Sequence, residues 1–408
     1  MSHLLSLKLS LKLGLMLRLS VISLIFTLSS AVLAATEDIE QEFDVSSGGT
    51  LIMDSDAGSI KVESWNRDQV LVRISNPDGF DVNMTQKGDS VFVSAESEGR
   101  GFFRSSSSNI SFRVSVPKQY SVELETGGGP IEVADLIGNV TVDTSGGSIQ
   151  IGKISGGDVK ADTSGGSIDI QDVDGNVEAD TSGGRITIGN VTGDVIADTS
   201  GGGISIGNVQ GDMFANTSGG HITVGQGAGR VELDTSGGTI RAGWALGPII
   251  VDTSGGNIIL EGSETSVKAD TSGGNITVEK SNGSVDADTS GGSITIRKSV
   301  GPIRADTAGG RIDAELVSSD KPRAGAVELE TAGGDVTIRI PSSMSASIYA
   351  DLAVSRRGRG DYRIYTDFPL IIQEDDRGNI VGQGDINGGG SRIYLETTNS
   401  DITILSVK

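Results

Sequence analysis

The 408-residue chain has no cysteine, and His221 is its only histidine beyond the first thirty-four residues. Without cysteine there is no disulfide, no thiolate nucleophile, no cysteine-held zinc and no lipid-modified cysteine. A histidine-based triad and a multi-histidine metal centre are excluded with them. Aromatic residues make up 4% of the chain, and no stretch carries a 3.6-residue apolar period, which excludes helices between the repeats. Clustered basic residues are scarce as well. The formal net charge is −22, and an acid surface of that size excludes nucleic acid as a partner. It suits plain solubility, divalent cations or basic partners.

Long hydrophobic runs are missing after residue 34. Before it, Lys8, Lys12 and Arg18 charge a leucine-rich start, an apolar stretch follows from Val21 to Leu33, and Val32-Leu33-Ala34 offers the small residues of a cleavage site. This pattern predicts a signal peptide over 1–34, removed after Ala34 or Ala35. The run is short for a membrane span, and the mature chain is expected to hold no transmembrane segment. Loss of the three leader cations takes the net charge from −22 to −25. The expected destination is export to the periplasm, the cell envelope or the medium.

What is abundant is glycine, 60 residues of it, and it recurs in register. The phrase Asp-Thr-Ser-Gly-Gly starts at Asp143 and Asp162. It restarts every eighteen residues at Asp180, Asp198, Asn216, Asp234, Asp252, Asp270, Asp288 and Asp306. A period in this range marks a solenoid, whose units bury their apolar faces only by stacking. Six residues after each start stands an isoleucine, from Ile149 to Ile312, and a second aliphatic column follows two residues later. The return stretch carries an aliphatic column, Val177 to Ile303, and then a mostly alanine one, Ala179 to Ala305. Spacing of two means strands with one face inward. The fold class is therefore all-β: a parallel β-solenoid of 18-residue rungs, about twelve of them, with irregular β caps at both ends. "SGG" and "N-V-x-G-D" are read as its two turns.

Asp-Thr-Ser-Gly-Gly reads as a hinge. The alternation puts Asp outward and Thr inward. Asp would accept hydrogen bonds from turn N–H groups, and glycine would take backbone angles other residues avoid. Asn216 replaces Asp while its rung keeps register, which suits an Asx turn and not catalysis. No cofactor is expected. Calcium bridging the stacked carboxylates stays open as the alternative, although nine-residue calcium repeats need a spacing this chain lacks. An ice-binding face needs a regular outward Thr column, and these Thr face inward.

Function in a repeat shows in its exceptions. The outward column of the return strand reads Glu178, Ile196, Phe214, Glu232, Ile250, Lys268, Asp286, Arg304. Ile196, Phe214 and Ile250 make an apolar contact surface, or lie beneath a terminal segment. Trp244 takes a turn position held by Asn190, Asn208 and Gln226 in earlier rungs, and can stack on a sugar or lie on its own loop. The stretch at 102–109 and the basic run Arg356, Arg357, Arg359 read as solvated loops, the Arg359-Gly360-Asp361 tripeptide as chance. The loops are short and even from Asp162 to Asp306, so no walled cleft is expected and the chain is read as non-enzymatic. The domain reading is 1–34 leader, 35–124 N-terminal irregular rungs, 125–340 regular solenoid and 341–408 C-terminal irregular rungs.

"FDVSSGGTLIMDSDAGSIKVESW", "VPKQYSVELETGGGPIEV", the repeated "DTSGGxIxI" and the closing "NGGGSRIYLETTNSDITI" resemble the bacterial putative-adhesin domain family of unknown function, over roughly 43–408. The resemblance implies an exported, envelope-linked β-solenoid of adhesin-like character and carries no catalytic residues. The expectation is a non-enzymatic adhesin-like or envelope scaffold whose acidic surface binds an unidentified glycan or protein ligand. A divalent-cation-dependent rod and a polysaccharide-active β-helix enzyme are the alternatives.

Overall fold

The computed structural model describes residues 38–98, 110–317, 325–355, 360–376 and 378–408. The leader, the 102–109 stretch and Arg356, Arg357 and Arg359 lie outside the described residues. Among those described there is no helix. A coil such as 177–188 runs through strand Val177–Thr181, the Ser-Gly-Gly turn and strand Ile186–Ile188. Each strand pairs in parallel with its equivalents eighteen residues away: Val177 with Val195, Asp180 with Asp198, Ile186 with Ile204. Two long sheets result, an Asp-Thr sheet and an isoleucine sheet. Every isoleucine of the invariant column, Ile149 through Ile312, is buried, each contributing about 1.5–3 kcal/mol.

The hinge is built differently from the sequence expectation. The Thr hydroxyl, not the Asp carboxylate, satisfies the turn. Thr235 Oγ1 donates to the Gly220 carbonyl one coil back at 2.9 Å and accepts the Gly238 N–H at 3.2 Å. Thr181 does the same with Gly166 and Gly184. The second glycine is needed for space, not for unusual backbone angles. A Cβ on Gly238 would stand 1.7 Å from the Gly220 carbonyl oxygen, whereas one on Gly237 would find its nearest atom at 3.7 Å. None of the repeat's paired glycines has a left-handed φ.

The stretch read as a plain turn is a third side. Leu136–Ile137, Ile154–Ser155 and Val173–Asp174 form a small parallel sheet, continued by single bridges from Val173 through Val191, Val209 and Gly227 to Ala245. Leu136, Ile154, Val173, Val191 and Val209 point inward and are buried. Asx ladders hold its two corners. Asn190 Oδ1 accepts the Asn208 N–H and Asn208 Oδ1 the Gln226 N–H. At the other corner Asp194 accepts from Asp212, and Asp212 from Arg230. Asx capping thus does occur, but at these corners; at the repeated phrase the Thr hydroxyl takes that role. Past Gly227 the isoleucine strands lengthen to Ile258–Ser263, Ile276–Ser281 and Ile294–Ser299. The third side disappears, and its inward column becomes Ser263, Ser281 and Ser299.

Both ends depart from sequence order. The coil of Thr50–Ser55 and Ser59–Trp65 lies between that of Ser121–Thr126 and Ile131–Val133 and that of Ser90–Ser97 and Ser111–Pro117. Likewise Ser391–Thr398 and Ile402–Val407 insert between Val327–Thr331 with Val336–Pro341 and Ala346–Ala353 with Ile364–Thr366. Antiparallel strands close each end: Gln69–Ser75, Ile39–Asp44 and Phe80–Lys87 at one, Ile380–Ile386 and Ile371–Glu374 at the other. They occupy sheet edges that a solenoid end would otherwise leave open. The described residues hold sixteen coils, not about twelve, because strand alternation persists after the phrase is lost. At about 4.8 Å per coil the rod is about 70 Å long.

Candidate contact surface

Ile196 and Phe214 are register partners on adjacent coils of the Asp-Thr sheet, 45% and 36% exposed. Ile250 stands two coils on in the same column, between Glu232 and Lys268, and is half-buried. These three share a face. Trp244 does not join them. It sits in strand Ile240–Ala245 of the isoleucine sheet, half-buried, opposite Gly262, with Lys280 Nζ 5.1 Å from its ring centroid. The expected turn tryptophan is thus a strand residue lying against its own neighbouring coils.

Beside the apolar pair runs the acid column, whose members stack in register from Glu125 through Asp143 to Asp306, Glu330 and Glu396. Partial burial, and then like-charged neighbours, push the carboxyls of Asp234, Asp288 and Glu330 above their ordinary values. Asp198 is raised by burial and by Asp180, and the Asn216 amide offsets part of this by hydrogen-bonding to it. Among the described residues no group of three or more His, Asp or Glu is arranged to hold a metal ion. His221, a candidate for nothing in the sequence, accepts the Thr239 N–H at Nδ1 at 2.8 Å. It is one more corner cap.

Sequence reasoning missed a groove on the isoleucine sheet near the N-terminal end. The out-of-order coils set Arg73 opposite Arg113, Arg113 opposite Lys61, and Lys61 opposite Glu132. A second row puts Ser111 between Ser75 and Ser59. These residues line an open depression of about 600 Å³. It shares Lys61 and Glu132 with a neighbouring one of about 820 Å³, lined also by Ser64, Gln150 and Gln171. The only signal in the sequence is a basic residue at the outward position of "SIKVES", "VRIS" and "FRVSV".

Residues 42–243 match the family model described as Toastrack DUF4097. The chain carries a Toastrack DUF4097 domain. The Toastrack fold is a β-solenoid, and the domain has no known function. No curated protein matches the sequence. Among solved structures this chain is similar to a putative cell adhesion protein from Clostridium sporogenes, at 8% identity over 91% of this chain and 100% of that one, TM-score 0.17. It is also similar to a putative adhesin from Bacteroides fragilis, at 13% identity over 66% and 97%, TM-score 0.17. A third is a putative lipid binding protein from Parabacteroides distasonis, at 15% over 69% and 97%, TM-score 0.26. Likeness at this level carries no argument about ligand. Among the described residues of this chain no helix is long and apolar enough to cross a membrane.

Proposed function

We propose that the protein is exported behind the 1–34 leader and acts as a non-catalytic, adhesin-like rod of the cell envelope. Residues 125–340 form its regular stack, and 35–124 and 341–408 its two ends. The observation that carries this reading is the apolar ledge of Ile196 and Phe214, extended by Ile250 and set among Glu178, Glu232 and Lys268. A soluble rod has no folding need for exposed Ile and Phe side by side, and such a pair suits a contact that excludes water. The uneven chemistry of the outward columns supports contact rather than turnover. The ledge offers no nucleophile, and His221 is engaged as a corner cap.

The test is binding of the purified full chain to whole bacterial cells and envelope fractions, beside an Ile196→Ser/Phe214→Ser variant. Expected is a loss of about tenfold in affinity, as for truncating an anchor pair, with unchanged melting temperature. Equal binding by the variant, or no binding by either protein, removes the reading. Cell fractionation tests export separately: a mature chain starting near residue 35, outside the cytoplasm, is the expected result.

A further inference from the structure

The geometry points to a binding site for a carboxylate-bearing sugar chain in the N-terminal groove of the isoleucine sheet, with Arg113 as its anion contact. Like charges directly opposite one another on neighbouring strands destabilise a sheet. Here Arg113 is flanked on one side by Arg73 and on the other by Lys61. The outer two are each answered by a carboxylate: Arg73 Nε lies 2.9 Å from Glu40, and Lys61 is ion-paired to Glu132. No ion pair or hydrogen bond engages the exposed Arg113 side chain among the described residues. A guanidinium left in this position between two cations is set to take an external oxyanion by its two-pronged fork. The hydroxyls of Ser59, Ser75 and Ser111 form the adjacent row and can donate to the same group.

The floor beyond favours a sugar chain over a free ion. The groove continues past Lys61 and Glu132 along Gln150 and Gln171, amides that donate and accept as sugar hydroxyls require, and along Glu63, Asp135 and Asp169, carboxylates that accept from such hydroxyls. A uronic-acid oligosaccharide meets both parts, one of its carboxylates at Arg113 and its ring hydroxyls along the glutamines. Acid groups beyond about 8 Å are largely screened at physiological salt, and the carboxylates of the neighbouring depression leave the Arg113 end, beside Arg73 and Lys61, as the place for the anion. This site lies on the opposite sheet from the Ile196–Phe214 ledge and does not depend on it.

Calorimetric titration of the full chain tests the assignment with trigalacturonate, the neutral trisaccharide maltotriose and inorganic phosphate. Trigalacturonate should bind in a salt-sensitive manner and maltotriose much more weakly. Arg113→Gln should weaken trigalacturonate by about tenfold or more, the value of one charge-assisted contact. Arg241→Gln, outward on the same sheet but away from these grooves, should leave binding unchanged. Arg113→Gln relieves a like-charge contact, so it should melt no lower than the parent chain, which separates lost binding from lost folding. The Ile196→Ser/Phe214→Ser variant should bind trigalacturonate as the parent does. Equal binding by Arg113→Gln overturns the site. Phosphate binding as tightly as trigalacturonate overturns the sugar chain as its occupant.

Discussion

The lower and upper parts of the regular stack share a period, a phrase and an isoleucine column, yet differ in cross-section. Below Gly227 a coil has three sides, with Val173, Val191 and Val209 filling the extra corner and Asx ladders tying the coils along both edges. Above it the coil is two-sided, and the same inward position holds a hydroxyl that folds back on the chain. Ser263 Oγ donates to the Gly247 carbonyl at 2.8 Å, and Ser281 to Gly283 at 3.0 Å. One column decides the shape. An aliphatic residue there needs a cavity to fill and draws the chain out into a third side. A serine finds its partner in a turn carbonyl of its own coil or of the one before, and lets the strand run straight on. Gly227 and Ala245 stand at the changeover, too small to hold the corner open.

If only that column differs, the Ser-Gly-Gly turn must be equally intolerant in both parts. Gly184→Ala below and Gly256→Ala above each put a Cβ 1.7–1.8 Å from a carbonyl of the preceding coil. Each should destabilise by about 3 kcal/mol or more, since neither backbone can yield alone. Gly183→Ala and Gly255→Ala, whose nearest atoms are 3.7 and 3.8 Å away, should change stability by less than about 0.5 kcal/mol. Chemical denaturation read by circular dichroism measures both pairs. Matching losses at the first and second glycines would refute close approach as the reason for the motif.

The next contrast exchanges the deciding column. Val191→Ser leaves a hydroxyl in an aliphatic corner and should destabilise by about 2 kcal/mol. Ser281→Val deletes the Gly283 contact in a straight strand and should lower stability by about 1 kcal/mol. Hydrogen exchange should show the first loss as opening along the third side and the second as confined to one turn. If Val191→Ser is as mild as its counterpart, the aliphatic column is not what holds the corner.

How much of this could be read beforehand depends on whether the cause lay inside one repeat or between repeats. The inward isoleucine and alanine columns follow from alternation within a single strand. The outward pair Ile196 and Phe214 shows for the same reason, as a break in a polar column. The third side did not show, because a lone valine in a short turn-like stretch has no alternating partner within its own coil. Neither did the second glycine's role, since the atom it must avoid belongs to the coil beneath. The Arg73–Arg113–Lys61 row was hidden most deeply: its members meet only because the end coils stack out of sequence order.

The smallest expected effect concerns the acid column, which runs through both parts and is broken once, at Asn216. The carboxyls of Asp162, Asp198, Asp234, Asp288 and Glu330 are held above their ordinary values, chiefly by partial burial and further by acidic neighbours, an effect that Lys160 partly offsets at Asp162. A carboxyl that binds its proton more readily folded than unfolded lowers stability while ionised. Stability should therefore rise as pH falls from neutral through these raised values toward the ordinary carboxylate value of about 4. Asp172 acts the other way. Its carboxylate accepts the Asn190 N–H and amide, which lowers its value, so its contribution is lost as the pH falls further. The melting temperature should accordingly pass through a maximum in mild acid. Asn216→Asp completes the column between Asp198 and Asp234 and removes the amide that answers Asp198. It should lower stability at neutral pH by roughly 0.5–1 kcal/mol, with most of the loss recovered near pH 4 and in high salt. A melting temperature that falls steadily from neutral to mildly acid pH would mean that the stacked carboxylates do not repel enough to matter. Asn216 would then be an accident of the repeat, not the relief of a charged file.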